Sequence, residues 1–255
     1  LLNTCLALST VMIAQTKDGG ISPQMLGKMN RAQPHSIANR ALFNAIASNN
    51  IDDLAKNYAN KGAVDTYFSV ETPKQSIHNQ QSSGRCWMFS GLNVLRANFA
   101  KAHQDTLSVE FSQAYLFFYD QLEKSNLMLQ GVIDNAKKPL TDTRVQFFFK
   151  NPINDGGTFC GVADLADKYG LVPMSVMPET YSTDNTKIMA RLIASKLREY
   201  GLELRRMVAD GKKTAAIQER KTEMLASIYR MLTLTIGEPV KEFTYAFTNK
   251  EGKAL

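Results

Sequence analysis

Histidine is scarce in this chain: His35, His78 and His103 are the whole supply in 255 residues. Cysteine is equally rare. Cys5, Cys86 and Cys160 are too few and too scattered for a disulfide framework or a zinc site, and no C-x-x-C pair occurs. No metal and no cofactor is therefore implied, and the odd number leaves a free thiol. Internal repeats and low-complexity tracts are absent. Beyond the first residues, no segment is apolar enough to cross a bilayer. What is present is ordinary: 44% hydrophobic and 21% charged residues, enough to bury one large domain or two small ones.

Leu1 to Gln15 reads as the apolar core of a secretory leader, too short to span a membrane. It has no initiator Met and no basic segment before it, so the sequence is expected to begin inside that leader. Export to the periplasm or outside the cell follows as an expectation. The net charge of +6 is mild and partly local, because residues 187–224 carry ten Lys/Arg against five Asp/Glu. That basic stretch suits a solvated face, an oligomer surface or an acidic partner such as nucleic acid. No recognised nucleic-acid motif accompanies it.

The expected organisation is a leader over residues 1–16, an arm over 17–79, a helical domain over 80–183, a helical insertion over 184–235 and the start of a β-rich part over 236–255. Short helices are expected between Pro23 and Ala59, then an extended stretch from Gly62 to Pro73. Trp87, Phe89, Leu92, Leu95 and Phe99 recur at helical spacing after Cys86. Ser112 is placed to cap a second helix with a broad aromatic face. Asp142 to Lys150 is short and apolar. Asn154-Asp155-Gly156-Gly157 is a turn signal. A helix over Gly161 to Tyr169 stops at Gly170. Two longer helices, near Thr186 to Met207 and Ala215 to Leu234, break at Asp210-Gly211. Glu242 to Leu255 reads as a hairpin turning at Asn249 to Gly252.

Chemistry concentrates between Gln80 and Ser90. Cys86 falls in the first turn of its helix, where unpaired N–H groups and the positive end of the dipole favour a thiolate. Arg85 adds a positive neighbour or faces solvent. Gln80 offers a neutral amide that, with the Cys86 N–H, suits the oxyanion of an attacked carbonyl. Spacing alone leaves a second reading open, a buried and inert cysteine at the start of an apolar helix.

Gln80 to Arg96 resembles the active-site segment of the bleomycin hydrolase and aminopeptidase C family, a branch of the papain-like cysteine peptidases. Glu110 to Asp120, Asn151 to Gly157, Asp167 to Pro173, Pro178 to Thr183 and Phe243 to Tyr245 resemble the same family in the same order. The resemblance implies an α+β papain-like fold, here mostly its helical (left) domain with a helical insertion. It implies Cys86 as nucleophile, Gln80 as oxyanion-hole amide, Trp87 as the residue after the nucleophile, and Gly156 and Gly157 as the wall against which an extended peptide pairs. Peptide substrates, homohexameric rings and usually a cytoplasmic location go with the family. In some of its members, binding to DNA does too.

A thiol peptidase also needs a histidine. His103 lies seventeen positions after Cys86, about 25 Å along a continuous helix. His78 precedes Cys86 on a loop, and His35 sits in the arm. Papain-type enzymes place His and Asn about 130–150 residues after the Cys, yet nothing after His103 is histidine. The expected insertion pushes both beyond Leu255, so the chain is expected to be a fragment, inactive alone, without most of the β-barrel half. The competing expectations are a nucleic-acid binder and a catalytically dead relative.

Overall fold

The computed structural model describes residues 20–62, 65–72, 76–103, 107–249 and 253. The expected leader and Cys5 lie outside these residues, as does the expected turn at 250–252. The chain divides into two compact units, residues 1–69 and 70–255.

The first unit holds α1 (Pro23–Ala32), α2 (Ile37–Ser48) and α3 (Ile51–Leu54). Each starts at a side-chain cap. The Ser22, Ser36 and Asn50 side chains accept the N–H of Met25, Asn39 and Asp52 respectively. None of the three helices has a buried residue. After them, residues 65–72 form no regular element.

The second unit is a helical stack. Its helices are α4 (Cys86–Ala102), α5 (Gln113–Asp134), α6 (Thr143–Lys150), α7 (Phe159–Tyr169), α8 (Tyr181–Asp184), α9 (Thr186–Ala209) and α10 (Thr214–Ile236). The strands β1 (Leu107–Ser108) and β2 (Thr248–Asn249) pair antiparallel. Central α5 starts at Ser112, whose hydroxyl accepts the Tyr115 N–H at 3.0 Å and donates to the Met177 carbonyl at 2.5 Å. The expected aromatic face of α5 is core, with Leu116, Phe117 and Phe118 fully buried.

Helices α9 and α10 form an antiparallel hairpin that packs on α5. Met189, Ile193, Leu197, Tyr200 and Leu204 recur at three-to-four spacing, and Met224, Ile228, Leu232 and Ile236 answer them at every fourth position; all are buried. The turn between them uses Gly211 at φ 70°, a left-handed conformation that suits glycine. Basic residues expected to face outward are partly committed here. Arg220 pairs with Glu203 of α9 at 2.7 Å, while Arg198 and Arg205 cap carbonyls at Phe149 and Asn135.

Two sequence expectations need correction. Asp142 to Lys150 is not merely an apolar stretch: Asp142 caps it as α6, accepting the Arg144 and Val145 N–H groups. The run Phe147-Phe148-Phe149 hides the helical period. The terminal hairpin is also different. Residues 242–247 form no strand, and among the described residues the partner of β2 is β1, with Leu107 opposite Asn249. Alternation along a segment reports that it is extended, not which segment it joins.

Candidate active site

The loop from Gln80 to Arg85 delivers the chain to the start of α4. It reverses at Gln81, the single non-glycine residue with positive φ among the described residues, at 53°. Asn79 supports the bend by accepting the Gln81 N–H at 2.8 Å. The loop is then laced to itself. The Gln80 amide donates to the Ser83 carbonyl at 2.5 Å, and the Ser83 hydroxyl donates to the Gln80 carbonyl at 2.6 Å. One Gln80 amide hydrogen is thus committed, which orients the group and leaves the second for a ligand.

Cys86 is the first residue of α4 and is exposed. The N-cap residue Arg85 makes no side-chain capping bond, so no side chain competes there for the free N–H groups of the first turn. The alternative of a buried Cys86 does not hold among the described residues. Cys160, in the first turn of α7, is also an exposed free thiol.

Arg85 corrects another expectation. It does not face solvent. Its side chain is fully buried, with Nη1 2.8 Å from Glu179 Oε2. Neither atom has the alignment of a hydrogen bond, so the attraction is chiefly coulombic. The guanidinium lies 5.2 Å from the Phe89 ring centroid and 5.1 Å from that of Phe117. Its Nε donates to the Ser83 hydroxyl at 3.1 Å, which joins the buried cation to the loop that holds Gln80.

Trp87 turns inward from α4. Its indole N–H donates to the Asp155 carbonyl at 2.8 Å. Its ring fills the space a side chain at Gly157 would need, since a Cβ there would lie 2.5 Å from Trp87 Cε2. Gly157 is therefore required by the tryptophan before any substrate is considered. Gly156 is different, because a Cβ there would meet only Asn154 Oδ1, at 3.5 Å.

The glycine loop is tied down from below. The Lys124 ammonium donates to Asp120 Oδ2 at 2.8 Å, the Asn154 carbonyl at 3.0 Å and the Gly156 carbonyl at 2.6 Å, using all three donors. It also lies 5.4 Å from the Trp87 ring centroid. Burial raises the Asp120 carboxyl above the ordinary range despite Lys124. Asp155 is held below it: burial pushes upward, but hydrogen bonds from Thr186 and the Gly84 N–H outweigh that. The sequence placed Asp155 in a turn, Glu179 and Asp155 in segments that resemble the family and Thr186 at a helix start, but gave none of them, nor Lys124, a role at the site.

Two of the histidines have contacts of their own. His78 Nε2 lies 3.1 Å from Glu110 Oε2. His103 follows the last residue of α4, the end away from Cys86, with Nδ1 2.8 Å from the Phe99 carbonyl. His35 belongs to the first unit.

Residues 20–254 match the model of the Peptidase C1-like family. The chain belongs to that family. Aminopeptidase C of Lactobacillus delbrueckii subsp. lactis is 41% identical over 209 residues, which cover 82% of this chain and 46% of that protein. Bleomycin hydrolase of Gallus gallus is 36% identical over 185 residues, 72% of this chain and 40% of that protein. The crystal structure of PepW from Lactobacillus rhamnosis HN001 superposes with a TM-score of 0.87 at 36% identity, covering 93% of this chain and 53% of that one. The chain spans about half the length of the curated relatives it matches. Within the Peptidase C1-like family, the fold described here is the helical domain of the papain-like architecture.

Proposed function

We propose that the whole protein is a cysteine aminopeptidase in which this chain supplies the nucleophile's side of the cleft. The observation that carries this reading is the exposed Cys86 at the uncapped start of α4, beside a loop that fixes the Gln80 amide. The Cys86 thiolate attacks the carbonyl carbon of the first peptide bond and a C–S bond forms. Gln80 Nε2–H and the Cys86 N–H hold the resulting oxyanion. The C–N bond then breaks, and the amine leaves with a proton from a histidine. Water releases the acyl group and restores the thiol. This proposal assigns the histidine and its orienting Asn to a part of the protein that the chain does not span. Gly156, Gly157 and Trp87 form the wall for the peptide. Relatives named aminopeptidase C and bleomycin hydrolase support this substrate class.

Assembly into a ring and export belong to the same proposal. Ile188, Leu192 and Leu202 leave an exposed apolar stripe along α9 that suits contact with another subunit. Leu1 to Gln15 supports export.

The test is hydrolysis of aminoacyl arylamides by the full-length protein. Cys86→Ala is expected to abolish it, and Gln80→Ala to lower it about 10²- to 10³-fold, the cost of one oxyanion donor. Retained activity in Cys86→Ala would reject the reading.

A further inference from the structure

Asp155 touches the segment that carries the nucleophile at two points. Its carboxylate Oδ2 accepts the Gly84 N–H at 2.6 Å, two residues before Cys86. Its main-chain carbonyl accepts the Trp87 indole N–H at 2.8 Å, one residue after Cys86. Two attachments on either side of one residue fix rotation as well as distance.

The fit is close. A Cβ at Gly84 would lie 2.4 Å from Asp155 Oδ1, so only glycine lets the carboxylate reach the loop. The same Oδ2 accepts the Thr186 hydroxyl at 2.6 Å. Thr186 is buried and is the first residue of α9. A single β-bridge between Ser82 and Asn185 runs alongside. The helical hairpin is thereby anchored at the cleft, through a residue that directly precedes Gly156. Lys124 and Gln121 hold the neighbouring Asn154 carbonyl at 3.0 Å and 2.9 Å, so Asp155 itself sits on a fixed base.

We infer that Asp155 is a positioning residue, which sets the spacing between the Cys86 loop and the Gly156–Gly157 wall and ties that spacing to the start of α9. This rests on the proposed peptidase reading of Cys86. A peptide paired along the wall presents its carbonyl at a place fixed by the wall, while the sulfur is fixed by the loop. Among the described residues, Asp155 bonds directly to both the loop and the α9 start while adjoining the wall. A displacement near 1 Å between nucleophile and carbonyl costs about 10²-fold in rate.

The test compares two alkylating agents on Cys86 in the full-length protein. Iodoacetamide needs only the thiol. Glycyl-phenylalanyl chloromethyl ketone must also lie along the wall. Asp155→Ala is expected to slow the dipeptidyl reagent about 10²-fold and iodoacetamide less than about threefold. Asp155→Asn keeps a carbonyl oxygen for both donors and is expected to restore the dipeptidyl rate to within about fivefold of the parent. Thr186→Val removes one of the three bonds and is expected to slow the dipeptidyl reagent alone, by about three- to tenfold. It serves as the deciding variant should Asp155→Ala not fold. Equal slowing of both reagents, an unchanged dipeptidyl rate in Asp155→Ala, or an Asp155→Asn as impaired as the alanine variant would overturn the inference. Failure of the peptidase reading shows differently: the unmutated full-length protein would not hydrolyse aminoacyl arylamides at all.

Discussion

Replacing Glu179 with alanine strands a guanidinium inside the fold. The Arg85 side chain is 0% exposed, while Glu179, 2.8 Å away, is 21% exposed. Breaking a buried ion pair from one side costs about 3–5 kcal/mol, because the remaining charge keeps its desolvation penalty and loses its compensation. Two features pull this case toward the lower end. The faces of Phe89 and Phe117 stay against the cation, each contact contributing about 0.5–2 kcal/mol. Removing the partly exposed Glu179 side chain also lets water approach. The expected loss is therefore about 3 kcal/mol, a large fraction of a typical 5–15 kcal/mol total. Urea denaturation followed by tryptophan fluorescence measures it, because Trp87 is the sole tryptophan and lies two residues from Arg85. The double variant Arg85→Met, Glu179→Met removes both charges and is expected to be more stable than Glu179→Ala. A Glu179→Ala loss below about 1 kcal/mol would refute the argument, as would a double variant less stable than the single.

Two further outcomes follow from the geometry. Gly157→Ala drives a Cβ into the Trp87 ring and is expected to cost about 1–3 kcal/mol, whereas Gly156→Ala meets ordinary contact and is expected to stay within about 0.5 kcal/mol; melting temperatures of the two variants decide this. Glu110 is held below the ordinary carboxylate range, since burial raises it but the Ser76 hydroxyl, His78 and Arg96 together outweigh burial. A depressed folded value means that the stabilisation is complete above the unfolded value and disappears as pH falls through the folded one. Urea midpoints of Glu110→Gln and the parent should therefore differ at neutral pH and converge in acid, and a constant gap would contradict it.

Much of this protein is written locally. The helices beginning at Cys86, Gln113 and Thr186 are legible because apolar residues recur every three or four positions and Ser112 and Gly211 mark a start and a break. The position of Cys86 in a first turn comes from the same pattern, since a helix start depends on residues within a few places of it. Local patterns do not say where a side chain goes once the helix is packed. Arg85 turns into the core because Glu179, ninety-four positions later, arrives beside it. The sequence places Gly157 and Asp155 in a turn. Only the fold, which closes 71 residues between Gly84 and Asp155, shows that the glycine makes room for Trp87 and that the aspartate fastens the loop. Strand β2 likewise finds a partner near Leu107, which no local pattern shows. Periodicity and capping are interactions within one turn of helix, so the sequence determines them by itself. Partnerships between distant charges, rings and edges depend on which surfaces the buried core brings together, and the tertiary structure alone decides those.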